Sequence, residues 1–209
     1  MNDQTQEEEL REEFETPGLQ SVPSSKQVKL VYIKSREVDA HYVYRAVPRL
    51  DSKVYLYAEI SDWESLGLSP GKTNLYYSNT FVGETDMNVL STEDTLKVSL
   101  GPDKNIQLSY DLIDDQVNPP GLGSNSVTKG YEIKLKSNKD YAVNVRIEDQ
   151  IPVAVNDDFE VNLLEENDAI LDQKTGIIKW EFTLEPRETS SKSYKYIVKF
   201  PKGVRLAMN

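Results

Sequence analysis

The stretch Thr95-Leu-Lys-Val-Ser-Leu-Gly-Pro-Asp-Lys-Asn-Ile-Gln-Leu-Ser-Tyr110 decides the fold class. Leu96, Val98 and Leu100 recur at every second residue, and Ile106, Leu108 and Tyr110 resume that period after Gly101-Pro102-Asp103-Lys104. A period of two lines one face of a strand, whereas a helix face needs 3.6. Glycine, proline and aspartate between the arms supply turn chemistry. The stretch reads as a β-hairpin whose register is pinned by alternation on both sides.

The same period spreads in both directions. Upstream lie Val28, Leu30 and Tyr32, then Tyr42, Tyr44 and Ala46, then Val54, Leu56, Ala58 and Ile60. Ser61 to Leu66 interrupts the series, with Ser61 or Asp62 placed to cap one helical turn before Pro70-Gly71. Leu75 and Tyr77 lead into a Ser78-Asn79 turn, and Phe81-Val82-Gly83 returns. Asn118-Pro-Pro-Gly-Leu-Gly-Ser-Asn125 cannot continue a central strand and reads as an internal boundary. Beyond it, alternation restarts in Tyr131–Leu135, Tyr141–Ile147, Phe159–Leu163, Ile178–Leu184 and Tyr194–Phe200. That spacing is the one expected of an immunoglobulin-like sandwich. The sequence therefore predicts an all-β chain of two β-sandwich units, 21–117 and an immunoglobulin-like 122–205, after an acidic linker at 1–20.

Charge and composition narrow the function. The chain of 209 residues carries a formal charge of -11. Seven acidic residues against Arg11 in residues 1–15 account for six of those charges, the pattern of a solvated tether. An acidic chain with no cluster of basic residues repels phosphate backbones, which excludes nucleic acid as a partner. The absence of cysteine removes disulfides, thiolate metal sites and cysteine nucleophiles together. No apolar run approaches the length of about 18 residues that a membrane helix needs. The acidic N-terminus is the reverse of a signal peptide, so an export signal would have to lie upstream of residue 1.

A set of strings then points to a family. Val47-Pro-Arg-Leu-Asp51, Val54-Tyr-Leu-Tyr-Ala-Glu-Ile60, Leu68-Ser-Pro-Gly71, Phe81-Val-Gly83, Ser91-Thr-Glu-Asp-Thr-Leu96 and Glu148-Asp-Gln-Ile-Pro152 occur in order, followed by Trp180 and Val198-Lys-Phe-Pro-Lys202. Over roughly residues 14–205 the chain resembles the C-terminal domain of unknown function 4139 of the mucoidy inhibitor A-like family. It departs from that family at two turns, Leu100-Gly-Pro-Asp103 and Pro186-Arg-Glu-Thr189. The resemblance implies an exported bacterial protein of the periplasm or cell envelope, linked to exopolysaccharide production. It implies no catalytic residue. Tyr131 to Lys202 also looks like immunoglobulin-like repeats of bacterial surface proteins.

Candidate sites are few. His41 is the only histidine, and no nucleophile-elbow signature accompanies it. Asp111 with Asp114 and Asp115, and Asp157 with Asp158 and Glu160, lack the glycine-punctuated spacing of a calcium loop and read as solvated loop charge. No cofactor or metal is expected. Tyr55, Tyr57, Trp63 and Tyr76 could offer a stacking face for sugar rings, or could simply pack. The expected function is thus a non-enzymatic interaction or scaffold domain binding a protein or envelope component. A carbohydrate-binding module that takes polysaccharide is the alternative, and a hydrolase a remote third.

Overall fold

The structure, a computed structural model, describes residues 18, 24, 31–87, 94–118, 124–154 and 156–204. The chain divides into two units, Met1–Val38 and Asp39–Asn209. In the first, Val31 to Val38 forms neither strand nor helix, and the Tyr32 hydroxyl donates to Ser35 Oγ at 3.0 Å. A strand through Tyr32 is therefore not formed; Val28 and Leu30 lie outside the described residues, as does nearly all of the expected linker.

The second unit is nearly all β. Its strands are β1 (His41–Ala46), β2 (Val54–Ser61), β3 (Gly71–Tyr77), β4 (Thr80–Met87), β5 (Thr95–Pro102), β6 (Ile106–Asn118), β7 (Ser124–Ser137), β8 (Val143–Gln150), β9 (Glu160–Glu165), β10 (Ile170–Leu171), β11 (Ile177–Leu184) and β12 (Thr189–Pro201). A 3-10 turn, Trp63–Leu66, follows β2. Two large sheets form, ordered β10-β11-β8-β1-β2-β5 and β6-β7-β12-β9, beside the β3-β4 hairpin. Their inward residues make one hydrophobic core that includes Tyr44, Leu56, Ile133, Leu135, Val145, Ile147, Trp180 and Tyr194.

That topology corrects two expectations. Thr95–Tyr110 is not a hairpin: β5 pairs with β2, and β6 pairs with β7 in the opposite sheet. Gly101 at φ 91°, followed by Pro102 and Asp103, turns a corner from one sheet to the other. Alternation specifies which face of a strand is buried but is blind to which strand lies beside it. The proposed boundary near 118–125 does not separate two units either. β6 and β7, on either side of it, pair antiparallel from Ile106↔Ser137 to Asn118↔Ser126. Strands of the N-terminal half, β1, β2 and β5, share a sheet with β8, β10 and β11 of the C-terminal half, through the parallel β1–β8 pair. Residues 122–205 supply strands to both layers. They contribute β7-β12-β9 to one layer and β8-β11-β10 to the other, each extended by earlier strands.

Opposite flanks of the sandwich are corners where the chain changes sheet. One is the β5–β6 corner; the other is the β9–β10 corner at Glu166–Ala169. At the latter, Asn167 (φ 45°) and Asp168 (φ 63°) are both left-handed, a conformation that Asn and Asp tolerate best among residues with a Cβ. The indole N–H of buried Trp180 fastens that corner, donating to the carbonyls of Asn167 at 2.9 Å and Glu166 at 3.2 Å.

Candidate functional site

On β8 the inward series Val143, Val145, Ile147 ends in Asp149, a carboxylate where the period of two demands a core residue. Its side chain is 0% exposed. A buried charge survives only if paired and hydrogen-bonded, and Asp149 is both. Arg49 Nε and the Gln150 backbone N–H donate to Oδ1 at 2.9 and 2.8 Å, and the Tyr194 hydroxyl donates to Oδ2 at 2.7 Å. Arg49 Nη2 also donates to the Tyr194 and Tyr110 hydroxyls, at 3.3 and 3.4 Å. Tyr110, Tyr131 and Tyr194 stack in sequence, with ring centroids 5.0 and 5.4 Å apart. Burial by itself would weaken the charge of Arg49, but the Asp149 carboxylate outweighs it and holds the guanidinium protonated well above its ordinary range. Burial, then the Asp149 charge, pushes the Tyr194 hydroxyl far up. Strands of both sheets meet here, with every oxygen of Asp149 engaged. The cluster is a clamp whose carboxylate is buried and held by Arg49, Tyr194 and the Gln150 backbone.

A second buried pair closes the β5–β6 corner. Lys139 Nζ lies 2.6 Å from Asp103 Oδ2, with the lysine side chain 8% exposed. The Tyr44 hydroxyl donates to the same oxygen at 3.2 Å, and Lys139 donates to the Tyr141 hydroxyl at 3.0 Å. Asp103 N–H donates to the Val54 carbonyl at 2.9 Å, tying the corner to β2. Beside this pair lies a shallow hollow of about 360 Å³, lined in part by Val54, Ile106 and Lys104.

The β9–β10 flank is different. A cleft of about 700 Å³ opens there, with Ile151, Val161, Leu163 and Leu171 at its apolar surface and Asn162, Glu166 and Gln173 among its polar lining. Consecutive residues of a strand point to opposite faces. Val161, Asn162 and Leu163 all border this cleft, so it is the edge of β9 that faces it. β9 is the last strand of its sheet and β10 the last of the other, so neither has a strand on its outer side among the described residues. Val153, Leu164, Ile170 and Ile177 are exposed nearby. Residues 156–173 contain seven acidic residues and no lysine or arginine.

A family model described as a domain of unknown function (DUF4139) matches residues 2–202. The chain belongs to the DUF4139 family. No curated protein and no solved structure matches it. Within this DUF4139 domain, Arg49 and Asp149 come from two of the strings on which the sequence resemblance rested, and they meet in the buried clamp.

The domain scatters the aromatic residues read as a sugar platform. Trp63 is buried at 4% exposure, so its ring is closed to a ligand. Tyr55 and Tyr57 lie half-buried on β2, opposite the inward Val54 and Leu56; the Tyr55 hydroxyl donates to Asp51 at 2.5 Å, and Arg45 sits 5.4 Å over the Tyr57 ring. Tyr76 is on the separate β3–β4 hairpin, 64% exposed, edge-on to Phe81 at 5.6 Å. Tyr42, placed inward by alternation, is exposed and contacts Tyr77 at 6.3 Å. His41 is exposed at the start of β1. Asp114 is held by Lys195 at 2.5 Å and Glu160 by Lys199 at 3.2 Å. Among the described residues, no group of three His, Cys, Asp or Glu side chains could hold a metal ion.

The clamp and the corner pair were missed by reading the sequence for exposed chemistry. Asp149 carried a signal, a charge in phase with a core series. Lys139 carried none, since a lysine in Ser137-Asn138-Lys139-Asp140 reads as an ordinary turn residue.

Proposed function

We propose that the chain is a non-enzymatic interaction domain of an exported, envelope-associated bacterial protein, and that it binds its partner through the β9–β10 cleft. The observation that supports this most is the cleft itself, where a surface of mixed polar and apolar groups and two sheet edges, unpaired among the described residues, are left open. The most buried ionisable groups, in contrast, are consumed by one another. Concave apolar surfaces with a few polar groups are where ligands bind, and unpaired edges invite a partner. The envelope setting is supported by the resemblance of residues 14–205 to the mucoidy inhibitor A-like family.

The test is retention of a protein from envelope extract by the immobilised chain and by a Val153→Arg variant, which places a bulky charge at an exposed cleft position. Retention by the parent chain and its loss in the variant are expected. Equal retention by both, or none by either, would refute the cleft as the binding surface. Fractionation of the full-length protein tests the setting, and recovery in the cytoplasm alone would overturn it.

Glycan binding is the second reading, favoured by the exposed Tyr76–Phe81 pair. It requires that added polysaccharide perturb the tyrosine fluorescence of the parent chain and not of Tyr76→Ala. An identical response from both removes it.

A further inference from the structure

We propose that the cleft takes an extended, basic–apolar peptide segment of the partner, which adds as a strand to the outer edge of β9; this rests on the interaction-domain reading above. Three features point to that occupant. First, an edge strand presents a row of backbone N–H and C=O groups that only another extended chain can satisfy in register. Second, the space fits. One residue of strand occupies roughly 3.3 by 4.8 by 10 Å, so four residues fill about 630 Å³ of a cleft of about 700 Å³. Third, the charge selects. Glu160 pairs with Lys199, and Glu165 lies 3.9 Å from Lys195. Asp157, Asp158, Glu166 and Asp168 have no ion-pair partner among the described residues. All four are exposed around the β9 ends and the corner. Unpaired like charges at an interface reject acidic partners and steer basic ones.

In the docked strand, alternate side chains drop toward Ile151, Val161, Leu163 and Leu171. The intervening lysines or arginines reach the carboxylates at the rim. Alternation in the ligand thus matches alternation in the sheet. Gly176 keeps the wall close: a Cβ there would lie 2.3 Å from the Ile151 carbonyl oxygen.

The probe is an alternating lysine–valine heptapeptide, titrated calorimetrically into the whole chain, with hydrogen exchange following the β9 amides. Saturable binding is expected, with new protection in Glu160–Glu165 and affinity that falls as salt rises. N-methylation of every second peptide nitrogen on the pairing edge should weaken binding at least tenfold. The Glu166→Lys/Gln173→Lys variant changes two exposed lining residues. It should lose the lysine–valine peptide at least tenfold and gain an alternating glutamate–valine peptide.

Equal binding of the N-methylated peptide would overturn strand addition. Equal binding to parent and double variant would overturn the cleft as its seat. Concentration-dependent self-association of the parent chain, abolished by the double variant, would make a second copy the occupant and overturn the proposal. If Val153→Arg abolishes capture of a partner but no lysine–valine peptide binds, the strand proposal falls and the interaction reading stands. If neither capture nor peptide binding occurs, both fall.

Discussion

The two flanks of the sandwich solve the same problem in opposite ways. At each, the chain leaves one sheet and enters the other, stranding a corner over the rim of the core. The β5–β6 corner is sealed from within by a buried cation and anion, with Tyr44 donating to the same carboxylate oxygen. The β9–β10 corner is fastened by neutral donors, the Trp180 indole and the Ala169 backbone N–H, and its carboxylates are left to solvent. A sealed flank neutralises its buried charges internally, so that pair is not offered to a ligand. An open flank keeps a cleft of mixed polar and apolar lining and uncompensated charge, which a peptide-binding surface can use. The difference is one of where charge is neutralised, and it can be tested one residue at a time.

The largest effect should come from breaking the seal. Lys139→Met removes the cation and leaves Asp103 partly buried beside the core. Removing one partner of a buried pair costs about 3–5 kcal/mol, because the remaining charge is uncompensated. Urea unfolding should show this loss, and adding Asp103→Leu should return part of it. A loss below about 1 kcal/mol, the scale of a surface ion pair, would mean that the corner is not sealed by this pair.

Next in size is Gly176→Ala at the open flank. Gly176 has φ +72°, and its added Cβ would meet the Ile151 carbonyl oxygen at 2.3 Å. A left-handed residue with a Cβ costs about 1–3 kcal/mol, and the clash adds to it, so a total of about 3 kcal/mol is expected. The wall formed by Ile151 to Ala154 must shift to relieve it. A neutral substitution would show that the wall already yields, and the cleft would lose its defined width.

How much of this contrast was legible in the sequence depends on what alternation can encode. The strands and their buried faces were legible, because Val143, Val145 and Ile147 or Tyr194, Tyr196 and Val198 sit in phase with a core whatever they pair with. Partners were not. Leu96–Leu100 and Ile106–Tyr110 carry the signature of a hairpin, yet a corner with Gly101 at positive φ separates them into two sheets. Long-range pairings such as Tyr44↔Val145 leave no local mark, so one interleaved sandwich read as two. The candidate site was illegible for a related reason. An open cleft is made where strands end side by side, and the register that brings β9 and β10 to the same flank is set by β12 and β11.

Acid should separate the flanks. Burial alone would raise the carboxyl of Asp103, but the Lys139 ammonium, the Asn105 backbone N–H and the Tyr44 hydroxyl together hold it below its ordinary range. A carboxyl depressed in the folded state contributes stability that is complete above its unfolded value near pH 4. That contribution is lost as pH falls through the lower folded value. Amides of Asp103 to Ile106 should therefore lose hydrogen-exchange protection below about pH 4, and the loss should vanish in Asp103→Asn. Alkali acts through Tyr44, which burial, despite Lys139, pushes up to about 12. Its contribution is complete below about pH 10 and disappears as pH rises toward that value. A transition with the same midpoint in Asp103→Asn would locate acid lability elsewhere.

The smallest effect on stability should come from the open flank's own charges. Glu166 and Asp157 are exposed and unpaired, so Glu166→Gln with Asp157→Asn removes no ion pair and relieves like-charge repulsion. Substitutions of this kind usually stay within about 0.5 kcal/mol of the parent, and here the sign should be stabilising at low salt. That outcome gives the comparison its sharpest form. Neutralising a carboxylate at the sealed flank should unfold the corner, whereas neutralising two at the open flank should leave the fold intact and weaken only the capture of a basic strand. Destabilisation beyond about 1 kcal/mol would show that these carboxylates hold the β9–β10 corner together. The open flank would then be a second seal, and its charge could no longer be assigned to a partner.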